Sequence, residues 1–200
     1  DAFNLAGLCR VPVMFMMDEG VGHMTEKVVI PPADQIEVVP RKLSAKPPGE
    51  YWPYQLDATD IPEMVRAGDG YRFHTTGLTH DERGYPSTAD ERVHWRLVQR
   101  LIDKIDLNRD RIVRVERGRL DDAEVAVVSY GISARTALWP IQMARDEGIK
   151  VGMLRLITVW PFPEETVRQL AGRVKAFVVP ELNMGQISLE VERCAAGKAP

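Results

Sequence analysis

From Glu124 onward the chain alternates short apolar runs with amphipathic segments of helical length, and this alternation restricts its fold more than any other feature. "EVAVVSYG" (124–131) reads as a buried strand. "SARTALWPIQMARDEG" (133–148) reads as a helix that starts at Ser133 and stops at Gly148, and "KVGMLRLIT" (150–158) as the next strand. "PFPEETVRQLAGR" follows as a helix with Pro163 at its first position and two acids in its first turn, the favourable end for them. "KAFVVPEL" (175–182) and "GQISLEVERCAA" (185–196) repeat the pattern. The expected fold is therefore α/β, a parallel-rich sheet with flanking helices. Pro140 conflicts with a regular helix there. It removes a hydrogen bond and crowds the preceding turn at a cost of ~3 kcal/mol, which predicts a kink or a later helix start.

The upstream half is less regular. Residues 3 to 10 carry a helical pattern, and "VPVMFMMDE" (11–19) is a continuous apolar run that reads as a buried parallel strand. Seven of the fourteen prolines then fall between Pro31 and Pro62, without a period of 2 or 3.6, as in an extended connector. Thr88 and Glu91 have the spacing of a capping box. After them Val93, Leu97, Val98, Leu101, Ile102 and Ile105 recur at helical spacing, with Arg96, Arg100, Asp103 and Lys104 on the opposite face.

The totals exclude several classes. With 26 basic and 29 acidic residues the formal charge is −3, so no basic field draws nucleic acid or an anionic membrane. Cys9 and Cys194 lie too far apart in sequence for a CxxC pair and are too few for a cluster, and they suit a reducing, cytoplasmic compartment. No apolar run approaches the ~18 residues of a membrane helix. Asp1 opens directly on helical pattern, and "LEVERCAAGKAP" stops where an α/β fold would enter another strand; we expect a fragment truncated at both ends.

Candidate chemistry is sparse. "DEGVGHMT" (18–25) has Gly20 and Gly22 after an apolar run, but a third glycine is missing and Asp18 and Glu19 would repel a pyrophosphate. In "YGISAR" (130–135) a glycine turn and Ser133 open a helix that could hold an anion, although a turn capped by Ser133 explains the same residues. The segment "RFHTTGLTHDERGYP" (72–86) is the richest. His74, Thr76, His80, Asp81 and Arg83 form either a ligand-contacting lid or a solvated loop in which Asp81 pairs with Arg83. His80, Asp81 and Glu82 are adjacent and lack a second metal-ligating element, so they do not make a metal site. Trp160 and Phe162, in a rigid strand exit, are candidates for an interface. No self-contained catalytic set appears.

Taken together, "AFNLA", "VPVMFMMDEGVGHMTEKVVIP", "GYRFHTTGLTHDERGYP", "IKVGMLRLITVWPFPEE" and "VVPELNMGQISLEVER" resemble the α subunit of 2-oxoacid:ferredoxin oxidoreductases of the 2-oxoglutarate or 2-oxoisovalerate type. The resemblance covers nearly the whole chain. It implies a thiamine diphosphate enzyme that oxidatively decarboxylates a 2-oxoacid, with 2-oxoglutarate the expected substrate, passes the acyl group to coenzyme A and reduces ferredoxin. It divides the chain into the end of a pyrimidine-side thiamine-binding domain (1–40), a connecting arm with one amphipathic helix (41–112) and a truncated transketolase C-terminal-like domain (113–200). It also implies that the diphosphate and Mg are bound by a β subunit, that iron–sulfur clusters lie in other subunits (γ or δ among them), and that no catalytic residue maps onto this chain, which alone should be inactive. A non-catalytic binding or regulatory module, or a lipoamide-using dehydrogenase component, remains the alternative.

Overall fold

The computed structural model describes residues 1–200. Its helices are α1 (Ala2–Cys9), α2 (Glu19–His23), α3 (Glu91–Asp106), α4 (Arg109–Ile112), α5 (Gly131–Asp146), α6 (Glu164–Ala171) and α7 (Gln186–Ala195). Its strands are β1 (Val115–Gly118), β2 (Val125–Ser129), β3 (Val151–Leu156) and β4 (Ala176–Val178). The chain divides into two compact units, residues 1–15 with 27–111 and residues 16–26 with 112–200.

The second unit is an α/β domain. Its sheet has the order β1-β3-β2-β4, with β2 parallel to both β3 and β4 and β1 antiparallel to β3 at the edge. The two central strands are apolar on both faces because both faces are covered. Ala126, Val128, Leu154 and Leu156 point into one cluster with Val167, Leu170, Ile187 and Val191 of α6 and α7. Val127, Val151 and Met153 alternate to the other face, against Ala134 and Ile141 of α5. Burying a side chain such as Val167 contributes about 1.5–3 kcal/mol.

The edge strand β1 was not legible in the sequence. "VERG" offers one apolar residue, and the strand exists through its register with β3, Val115 opposite Leu156. Helix α5 begins at Gly131, nine residues ahead of Pro140, so a late start does not occur and the helix continues through the proline. Both Pro140 and Thr136, whose carbonyl loses its partner, are exposed, so water can satisfy that carbonyl.

The first unit is built largely from irregular chain around Tyr51, which is buried edge-on against Tyr71 and Phe73 at 5.4 Å each. The proline-rich segment is packed, with Pro53 and Ile61 buried and Leu43 bridged to Met64. Two expectations fail here for physical reasons. Residues 11–17 form no strand, and Met14, Phe15 and Met16 are about four-fifths exposed; a strand needs a partner ladder, and this chain supplies none at that place. Helix α3 is also turned over relative to its expected orientation. Arg100 and Lys104 are its buried residues, while Leu101 and Ile102 are about half exposed. Its cap is Asp90, whose carboxylate accepts from the amides of Arg92 and Val93 at 2.9 and 3.3 Å, so the Thr88–Glu91 capping box is not used.

Candidate functional site

The segment 72–86 closes on itself through Asp81. One carboxylate oxygen, Oδ1, accepts from the amides of Arg83 and Tyr85 at 2.9 and 3.0 Å, while the Asp81 amide donates to the Tyr85 carbonyl at 3.0 Å. A bridge joins His80 to Pro86. Asp81 is therefore committed to backbone amides and not to the Arg83 side chain. Gly84 has φ +87°, and a Cβ there would run into the His74 carbonyl, so the turn requires glycine.

This turn presents two side chains to residues 52–54. The His80 ring lies on Tyr54 with centroids 4.0 Å apart, and the Arg83 guanidinium lies 4.6 Å from the Trp52 ring centre. Together with Trp95 and Arg100 of α3 they line a cleft of about 340 Å³. Asp81 also lines it, whereas His74, stacked on Tyr85 at 5.6 Å, and Thr76, whose hydroxyl accepts from the Leu78 amide at 3.1 Å, do not.

Arg100 is the unexpected member. Only 9% of it is exposed, and its guanidinium makes no hydrogen bond or ion pair; its close partner is the Tyr54 ring, 5.2 Å away. Arg10 stands 5.8 Å from the same ring and donates to the carbonyls of Pro53, Pro62 and Glu63. Lys104 donates to the Arg10 carbonyl at 3.2 Å. Arg10, Arg100 and Lys104 thus lie close enough to repel one another, and of the three only Arg100 lines the cleft. Burial lowers the Arg100 pKa from its ordinary value, with Arg10 pushing the same way; burial, then Arg100 and Arg10, brings Lys104 down to about 8. On the acidic side, burial first and then Asp103 and Asp57 raise the Asp60 pKa.

The sequence pattern marks His80, Asp81 and Arg83 but sets Arg100 on an outer face and gives no signal for Trp52 and Tyr54. The stripe Val93, Leu97, Arg100, Lys104 was available as a second helical face, but apolar residues outvoted it.

The interface candidates separate. Trp160 is 73% exposed, but Phe162 is buried in the core of the second unit, in the cluster that holds Val167, and so is a packing residue. In that unit the N-terminus of α5 is already occupied. Asp18 Oδ2 accepts from the Ile132 amide at 2.9 Å, and Gly131 (φ +53°) leaves room for that carboxylate, since a Cβ would approach Asp18 Oδ2 to 2.7 Å. Asp18, not Ser133, meets the helix end. A diphosphate would meet a carboxylate at this turn, and no group of three or more His, Cys, Asp or Glu side chains is placed to hold a metal ion. The residues present do not fit the diphosphate–Mg end of a thiamine cofactor.

What the second unit defines is an α/β domain with a mixed four-stranded sheet between helices. Residues 1–100 match the family model described as pyruvate flavodoxin/ferredoxin oxidoreductase, thiamine diphosphate-binding, and residues 123–200 match pyruvate:ferredoxin oxidoreductase core domain II. The chain belongs to the pyruvate flavodoxin/ferredoxin oxidoreductase family. It is 48% identical over 198 residues to the 2-oxoglutarate synthase subunit KorA of Methanothermobacter marburgensis, covering 99% of this chain and 52% of that one. It is 32% identical over 197 residues to the ketoisovalerate oxidoreductase subunit VorB of Methanothermobacter thermautotrophicus, covering 98% and 48% respectively. The chain thus spans about half the length of the curated relatives it matches. A solved 2-oxoglutarate:ferredoxin oxidoreductase from Magnetococcus marinus, with 2-oxoglutarate, coenzyme A and succinyl-CoA bound, superposes with a TM-score of 0.76 at 24% identity, over 84% of this chain and 30% of that one, and shares its fold. No helix is long and apolar enough to cross a membrane.

Proposed function

We propose that this chain is part of the α subunit of a 2-oxoacid:ferredoxin oxidoreductase acting on 2-oxoglutarate. The observation that carries this reading is the 48% identity, sustained over 198 residues, to a 2-oxoglutarate synthase subunit. The overall reaction decarboxylates the 2-oxoacid oxidatively, transfers the acyl group to coenzyme A and sends the electron pair to ferredoxin. Thiamine diphosphate and Mg are held by other parts of the assembly, a β subunit foremost, and iron–sulfur clusters by other subunits. This chain contributes the end of the pyrimidine-side domain (1–40), the arm (41–112) and a transketolase C-terminal-like domain (113–200).

Its own contribution is surface and positioning. Trp160 belongs to a partner-facing surface, and the turn carrying His80, Asp81 and Arg83 serves as a lid at the cleft over Trp52 and Tyr54. The test is viologen reduction by the native assembly with 2-oxoglutarate, pyruvate or 2-oxoisovalerate, with and without coenzyme A. Coenzyme A-dependent reduction with 2-oxoglutarate in preference to the other two is the expected result. Failure with all three acids, in a preparation containing thiamine diphosphate and intact clusters, overturns the reading.

A further inference from the structure

We infer that the cleft of the first unit is an anion-binding site anchored by Arg100, and that it takes a single carboxylate or phosphate carried on an apolar or aromatic body. The inference rests on the reading of this cleft as ligand-facing, but not on which 2-oxoacid is used.

A buried charge is costly to desolvate and is normally paired. Arg100 is nine-tenths buried, makes no ion pair, and shares its surroundings with two further cations, Arg10 and Lys104, which donate to backbone carbonyls. The compensation it has is the Tyr54 ring, and the carboxylates of Asp60 and Glu82 act on it only at Coulomb range. Arg100 is among the residues that line the cleft, and its planar fork of donors suits a carboxylate or phosphate. Arg83 and Arg96 line the same cleft.

The rest of the lining sets the class of anion. Asp60, Asp81, Glu82 and Asp103 also face the cleft; Asp81 is occupied by the amides of Arg83 and Tyr85, and Asp103 by Gln99, whose amide donates to it at 2.7 Å. These acids disfavour a chain of several phosphates, since each added charge meets another carboxylate. Trp52, Trp95 and Tyr54 supply aromatic wall for the ligand's body, and about 340 Å³ holds one ring with its anionic group.

The experiment is calorimetric titration of the full chain with phenyl phosphate, phenylacetate and inorganic diphosphate, followed in parallel by tryptophan fluorescence. Phenyl phosphate or phenylacetate should bind, the better of the two telling phosphate from carboxylate, and inorganic diphosphate should bind more weakly. Arg100→Met should weaken binding at least about tenfold while keeping or raising the melting temperature, because it removes an unpaired buried charge. Arg83→Gln, at an exposed position, should weaken it about threefold and leave the fold untouched. The inference is overturned if neither ring-bearing anion binds, if diphosphate binds best, or if Arg100→Met binds as the parent does. It is equally overturned if Arg100→Met lowers the melting temperature sharply while Arg83→Gln leaves binding unchanged, since Arg100 is then a structural residue. Binding is read without turnover, so these outcomes are distinct from a failure of viologen reduction.

Discussion

The carboxylate of Asp18 closes the N-terminus of the helix that begins at Gly131, accepting from the Ile132 amide at 2.9 Å across 114 residues of sequence. It supplies both a cap and a negative charge at the positive end of the helix dipole. Asp18→Ala should destabilise the second unit by about 1–2 kcal/mol, and Asp18→Asn by less, because the amide oxygen still accepts. Chemical denaturation monitored by circular dichroism measures this. Equal losses for both variants would mean that charge, not capping, carries the effect.

Phe162 and Trp160 sit two residues apart and make opposite predictions. Phe162 lies in the core, so Phe162→Ala should cost about 3–5 kcal/mol. Trp160→Ala removes a ring that is mostly in solvent and should change the stability of this chain by less than about 0.5 kcal/mol. If Trp160 belongs to a partner-facing surface, the same variant should weaken assembly, visible as dissociation on dilution in analytical ultracentrifugation. Undiminished assembly would remove Trp160 from that surface.

How much the sequence revealed follows from what each element depends on. Strands β2 and β3 are covered on both faces, so β2 is apolar up to Ser129 and β3 is interrupted only by Arg155, and their helices follow at the expected places. Strand β1 depends on its neighbour's ladder, and its own residues scarcely mark it. The run from Val11 looks like a buried strand because its composition is right, yet no strand of the sheet pairs with it. The apolar positions of α3 point its other face inward, but Arg100 and Lys104 carry long aliphatic stems that can be buried, and they are the buried residues of the helix. The cleft was half legible. His80, Asp81 and Arg83 stand out in a polar segment, whereas Tyr54 and Arg100 meet only through packing of residues 46 positions apart.

Lys104 gives the first unit a defined pH response. Its folded-state pKa, about 8, lies below the 10.5 of the unfolded chain. Below pH 8 it is charged in both states and its desolvation weighs fully against folding. Between about pH 8 and 10.5 the unfolded chain holds more protons, so stability from this group rises with pH. Burial raises the pKa of Cys9 and of Tyr51, and both oppose that rise at the alkaline end. The comparison is therefore between parent and Lys104→Met. The variant should be more stable near pH 7 by on the order of 1–3 kcal/mol, with the gap narrowing toward pH 10. A gap independent of pH would show that Lys104 titrates normally in the folded protein.

His80 and Arg83 offer the sharpest test of the lid. Each holds the turn to the wall of the cleft through one ring contact, His80 on Tyr54 and Arg83 on Trp52, and such contacts at accessible positions contribute about 0.5–1 kcal/mol. The turn itself is organised by Asp81 and Gly84, so removing either side chain should loosen the lid without unfolding the loop. In the complete assembly, His80→Ala and Arg83→Ala should raise the KM for the 2-oxoacid or for coenzyme A about three- to tenfold, with kcat changed less than about twofold. Gly84→Ala, which forces a side chain into the His74 carbonyl, should reproduce that pattern and in addition cost on the order of 1–3 kcal/mol of stability. Unchanged KM values for both reactants in the two alanine variants would leave the turn as a structural fold-back and remove the lid from the enzyme's cycle.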